Sequence, residues 1–189
     1  MVPQRDALYV TGSEEEAGLG IMHKMAQDVF TNQPRPLSPI PLRLVDGEWE
    51  DWSPPKSHPH FAAFEHLRQT FFAQLYHEQK QLLEAIHEKE QINVFVASFS
   101  GFQNKDTGEV RSYCTWIEDL PSLLPETQFI AIVSKDGKPV ASGRIEDIRK
   151  IVGDLLSESP DHYPLRYSVN GFPTTEQLQR IGDHLKVFT

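Results

Sequence analysis

The chain has 189 residues, 39% hydrophobic and 24% charged, which is ordinary globular usage with enough length for a sizeable core. Its formal net charge of -9 argues against broad coating of nucleic acid, which is driven by phosphate neutralisation, and its single cysteine excludes an internal disulfide. No segment approaches a membrane span and the N-terminal MVPQRDALYV lacks a signal pattern, so a cytoplasmic protein is expected.

These limits favour one domain over residues 1–189, of α/β (α+β) class, with a small mixed sheet and flanking helices. Ala7–Val10 reads as a short strand. Ser13 then precedes a helix, with Glu16 completing a capping box and Ile21, Met22, Met25, Ala26 and Val29 as its apolar face. Thr11-Gly12-Ser13 before a helix invites an anion-site reading. Glu14, Glu15 and Glu16 would repel a phosphate there and instead stabilise the helix dipole. Residues 32–59 hold seven of the 14 prolines and form an extended connector. Within it lie a candidate strand at Ile40–Val45, a turn at Asp46-Gly47, and Trp49 and Trp52, expected to anchor the connector to the core.

A long helix is expected from His60 to Glu90, with Phe64, Leu67, Phe71, Leu75, Leu82 and Ile86 on one stripe. His66, His77 and His87 point away from that stripe. Their separations of 11 and 10 residues do not suit two ligands on one metal, so they read as solvated. His58 and His60 flank Pro59 without neighbours that would complete a metal site. Such a long helix could project and mediate self-association.

Residues 92–189 read as a sheet with helices. Ile92–Ser98 is a strand, Gln103–Gly108 a polar turn, and Val110–Ile117 its antiparallel partner. Leu120–Pro125 crosses to the apolar run Phe129–Ser134. Asp136-Gly137 is a hairpin turn, and Ser142-Gly143 interrupts the strand that follows. A helix spans 144–156 through Ile145, Ile148, Val152 and Leu155. Leu165–Val169 is another strand, turned by Asn170-Gly171. Thr174 with Gln177 caps a last helix that packs through Leu178, Ile181 and Leu185. Cys114 sits in a strand pattern and reads as a buried, inert thiol. Ser98–Phe102, followed by Asn104-Lys105-Asp106, is either a loop lining a pocket or a plain hairpin turn.

The chemistry concentrates after Gly143. A helix starting behind a glycine leaves backbone N–H groups facing outward, the basis of a phosphate site. Arg144 would lie beside them, and Glu146 and Asp147 could hold a divalent metal. Lys135, Lys138, Arg144, Arg149 and Lys150 place five of 18 cations within 16 residues, a basic lip on an acidic chain. A surface helix whose charges pair across turns is the alternative, since Glu146 and Lys150 are four apart in the stabilising order.

Trp116–Leu156 resembles the ligand-binding corner of the ParB/sulfiredoxin fold. The residues that carry this are Asp136-Gly137 in the turn, Val140-Ala141-Ser142-Gly143 before the helix, and Arg144-Ile145-Glu146 opening it. In length and arrangement the chain is most similar to Osa-type fertility-inhibition proteins of conjugative plasmids. The resemblance implies metal-dependent nucleotide hydrolysis, and DNA cleavage as a second activity, with ATP and magnesium as cofactors. It implies Arg144 and Glu146 as catalytic residues, Ser142, Gly143, Arg144 and Arg149 as nucleotide-binding, and Glu146 and Asp147 as metal ligands. It also implies DNA at the basic lip and conjugation or type IV secretion components as partners. The family's paired arginines fall on Ile145 and Glu146 here, which shifts phosphate gripping to Arg144 and Arg149. A sulfiredoxin would need its cysteine where this chain has Gly143-Arg144, so sulfinic-acid reduction is not expected. A non-catalytic protein that blocks a secretion or transfer complex by surface contact is the other reading. Partition-type DNA binding is disfavoured, because about 35 residues after the motif leave no room for a helix-turn-helix domain.

Overall fold

A computed structural model describes residues 1–103 and 109–182. The part of the expected Gln103–Gly108 turn beyond Gln103, which ends a strand, the segment Asn104-Lys105-Asp106 within it and the packing of Leu185 lie outside the described residues. The fold is mixed α and β, and the chain divides into two compact units, Met1–Phe71 and Phe72–Thr189.

In the first unit, helix α1 (Glu16–Asn32) buries Leu19, Met22, Ala26 and Val29, spaced three, four and three apart. Met22, Ala26 and Val29 of the expected face are thus buried, joined by Leu19, while Ile21 and Met25 are exposed. The expected Ser13 capping box is absent. Glu15 is the N-cap without a side-chain bond, because the Glu15 N–H already turns back to Gly12 O at 3.2 Å and delays the helix. Ala7–Val10 is not a strand either; Ala7 makes only an isolated bridge with Gln4. Strands β1 (Leu42–Val45) and β2 (Glu48–Asp51) form an antiparallel hairpin. Asp46 and Gly47, at φ 50° and 89°, supply the left-handed turn that matches strand twist. The start of helix α2 (Phe61–Glu90) adds Phe64 and Leu67 to a core with Met1, Leu19, Met22 and Ala26, against which Trp52 packs.

The second unit holds two four-stranded sheets. One has the order β3 (Phe95–Val96), β6 (Ser122–Pro125), β10 (Arg166–Val169), β9 (Leu156–Ser159). The other has the order β4 (Ser100–Gln103), β5 (Val110–Ile117), β7 (Phe129–Val133), β8 (Pro139–Arg144). Several expectations change here. The antiparallel partner of β5 is β4, and the 92–98 region contributes only β3, parallel to β6 in the other sheet. Leu120–Pro125 is no mere crossing: β6 lies between β3 and β10, which is why all four of its residues are buried. Ser142 and Gly143 do not interrupt β8, which stays in register as Ser142↔Ala131, Gly143↔Ile130 and Arg144↔Phe129. The helix that follows, α3 (Ile145–Val152), ends in a 3-10 turn at Gly153–Leu155, where β9 begins. Helix α4 (Thr175–Ile181) has the reciprocal Thr174–Gln177 capping box.

Alternation on β5 sends Cys114 and Trp116 into the core with Ile130, Ile132, Ala141, Ile148 and Ile181, while Arg111, Tyr113 and Thr115 take the other face. Burial pushes the Cys114 thiol up to about 12, in line with an inert thiol. The second half of α2 packs differently from its apolar stripe. Leu82 and Ile86 are 67% and 46% exposed. The helix instead engages this unit through Tyr76, whose hydroxyl donates to Leu165 O at 2.7 Å, and Lys80, whose Nζ donates to Val96 O at 2.6 Å. His87, expected in solvent, pairs its ring with Val94 O at 2.9 Å.

Candidate functional site

The β7–turn–β8–α3 segment builds the site. Asp136-Gly137 closes the hairpin, with Ser134 N–H donating to Lys138 O at 2.9 Å and Gly137 at φ 76°. Strand register then places Arg144 beside Phe129, and Ile145, Ile148 and Val152 anchor α3 on the core. A cavity of about 400 Å³, within the ordinary range for ligand sites, opens at this junction. It is lined by Arg111, Phe129, Gly143, Arg144, Asp147, Ile148, Ile151, Arg180 and Ile181.

Three arginines are among its lining residues, Arg111 from β5, Arg144 from β8 and Arg180 from α4. Arg111 and Arg144 each lie 5.6 Å from the centroid of the Phe129 ring. Arg111 also pairs with Glu109 at 2.6 Å. Among the described residues, Arg144 and Arg180 make no ion pair. Among the described residues, Asp147 is the one carboxylate lining the cavity; its contact with Lys150, at 3.5 Å and well exposed, constrains it little. Ile148, Ile151 and Ile181 make the remaining wall apolar.

The residues singled out from sequence are not all brought together. Gly143, Arg144 and Asp147 share the cavity. Glu146 and Arg149 line a separate, more open depression with Lys150, Asp154 and Glu158. Arg149 is held there by Glu158 at 2.7 Å, by the Tyr167 hydroxyl at 3.3 Å and by the Tyr167 ring at 4.7 Å. Ser142 is fully buried, its Oγ without a hydrogen-bond partner among the described residues, and does not line the cavity. The first helical N–H, that of Ile145, donates to Gln128 O at 3.2 Å and does not face outward. An anion in this cavity would therefore meet arginine side chains rather than the helix N-terminus. No group of three or more His, Cys, Asp or Glu able to hold a metal occurs among the described residues. Magnesium needs less, since one carboxylate plus substrate phosphates often suffices, and Asp147 meets that requirement.

Arg111 and Arg180 escaped the reading of the sequence. Each is an isolated arginine in its own element, and only the pairing of β5 with β7 and the packing of α4 on β8 bring them to Arg144. No family model, curated protein or solved structure matches this chain.

Proposed function

We propose that the protein binds a nucleotide in the Arg111–Arg144–Arg180 cavity and hydrolyses its terminal phosphoanhydride with magnesium as cofactor. The observation that carries this reading is that three arginines and, among the described residues, one carboxylate line a single partly apolar cavity. Guanidinium forks match phosphate oxygens in pairs, and here they would neutralise charge that grows on the phosphoryl group during transfer. Water attacks the terminal phosphorus, the bond to the bridging oxygen breaks, and a nucleoside diphosphate, inorganic phosphate and a proton leave. Asp147 would hold magnesium together with phosphate oxygens or orient the attacking water. Cleavage of a DNA phosphodiester would use the same cations on a different phosphorus, and a role in blocking conjugative or type IV secretion transfer of DNA would follow from either activity.

Release of inorganic phosphate from ATP by the purified protein, with and without magnesium, tests the reading. Arg144→Ala is expected to lower turnover by roughly 10²-fold if it stabilises transition-state charge. Its side chain is exposed, so folding is preserved. Turnover equal in parent and variant moves the site elsewhere.

A second reading, a protein that blocks a complex by surface contact without catalysis, has one observation of its own. Leu8, Val10 and Trp49 stand 69%, 81% and 67% exposed around one cleft of the first unit.

A further inference from the structure

Three imidazoles sit where helix α1 meets the start of α2, all within the first unit. His23, on α1, has its ring Nε2 3.1 Å from Ala63 O and its ring edge-on to Phe64, the centroids 5.4 Å apart. A carbonyl only accepts, so that nitrogen carries the hydrogen. His58 and His60 precede α2, their ring centroids 5.6 Å apart. His60 fits against α1 because Gly20 has no side chain; a Cβ there would stand 2.7 Å from its Nε2. His58 Nδ1 accepts the His60 backbone N–H at 3.1 Å, which it does only while unprotonated. All three rings are half-buried, and a fourth imidazole, His66, is exposed further along α2.

Each proton added here is opposed. One on His58 Nδ1 breaks the bond from the His60 N–H. One on His58 or His60 puts a cation at the positive end of the α2 dipole, and the first turn of α2 has no Asp or Glu. One on His23 charges a half-buried ring among other basic groups. Burial holds the His23 pKa below its ordinary 6.5 against the Ala63 bond, and the charges of His60, His66 and Lys24 add to that effect. Of the other charged groups on the packed elements, Glu65 accepts from Ser53 Oγ at 3.3 Å and Arg68 pairs with Asp51 at 3.3 Å. Glu16 and Lys24 on α1 and Lys56 in the connector are exposed. The unfolded His23 ring takes its proton near 6.5 and the folded ring only at lower pH. Its contribution to stability is therefore complete above about 6.5 and is lost as pH falls below that.

We propose that this cluster is an acid-release catch: protonation of His23, His58 and His60 loosens α1 from the start of α2 and uncovers the Leu19, Met22, Phe64 and Leu67 core between them. The proposal is independent of the phosphate cavity. Its test is hydrogen exchange of the whole protein, read by mass spectrometry at about pH 7.5 and about pH 5.5 and corrected for the intrinsic exchange rate. Protection of α1 and of residues 61–67 is expected to fall about tenfold at the lower pH, the effect of one lost hydrogen bond. Helices α3 and α4, which contain no histidine, are expected to keep theirs. His23→Gln supplies an amide donor and His58→Asn an amide acceptor in place of each ring, and neither titrates. The double variant is expected to hold α1 equally at both pH values. No loss in the parent, an equal loss in α3 and α4, or the same loss in parent and double variant overturns the proposal. The contrast between α1 and the α3–α4 pair in the parent decides the matter even where the double variant does not fold.

Discussion

Arg166 donates through Nε to the side-chain oxygen of Gln79 at 2.6 Å, joining strand β10 to helix α2 inside the second unit. The same guanidinium gives Nη1 to the carbonyls of Ala97 and Leu123, at 2.9 and 3.0 Å, and lies 5.3 Å from the centroid of the Tyr76 ring. No carboxylate pairs with it among the described residues, so carbonyl dipoles and a π face carry the charge. Burial draws its pKa down to about 10, which leaves it protonated at neutral pH. Arg166→Ala is expected to destabilise the protein by about 3 kcal/mol or more, since it removes charge-assisted bonds and opens a cavity at once. A urea midpoint near that of the parent would show that the buried network contributes little.

Arg111 and Arg180 are expected to act on ligand phosphates rather than on folding. Arg180→Ala should weaken ATP binding about tenfold, the loss of one charge-assisted contact, while leaving thermal stability near that of the parent. Arg111→Ala should weaken binding similarly and also lose the Glu109 pair. Calorimetric titration reads both.

Magnesium dependence should follow Asp147 rather than Glu146. Asp147 lines the arginine cavity and Glu146 a different depression. Asp147→Asn is therefore expected to abolish magnesium-dependent phosphate release, and Glu146→Ala to leave it in place. The opposite pattern, measured by magnesium titration of each variant, would put the metal on the far side of α3.

What was legible in the sequence had short-range causes. β5 and β7 showed as an alternating and a continuous apolar run, and the Asp136-Gly137 turn and the Thr174 cap are dictated by residues within a few positions. β9 was hidden because Leu-Ser-Glu-Ser carries one apolar residue, its pairing resting on β10 alone. β6 was hidden by its prolines, tolerated because they stand at the strand's edge: Pro121 precedes it and Pro125 ends it. Leu82 and Ile86 formed a proper helical stripe yet stay exposed, and hydrogen bonds from Tyr76, Gln79 and Lys80 attach that half of α2 instead. The site was half legible for the same reason. Gly143, Arg144 and Asp147 are neighbours in sequence, while Arg111 and Arg180 reach them only through tertiary packing.

Alkaline pH should destabilise the fold through Cys114 and Tyr167. Burial raises the thiol from 9.0 to about 12 and the phenol from 10.0 to about 12, the Glu126 carboxylate adding to the latter. Both groups hold their protons more tightly when folded. Their contribution is complete below about 9 and is lost as pH rises toward 12, because the unfolded chain releases these protons first. Urea midpoints measured from neutral pH upward should fall from about pH 9. A Cys114→Ala variant should begin its fall later, near pH 10, and native Cys114 should resist thiol reagents until urea is added.

The convergence of Arg111, Arg144 and Arg180 on one phosphate ligand is tested most directly by calorimetric titration of ATP into the parent and the Arg144→Ala/Arg180→Ala variant. One saturable site is expected in the parent, and affinity lower by about 10²-fold in the folded double variant. Equal affinity in the two proteins, or no binding to the parent with magnesium present, would contradict it.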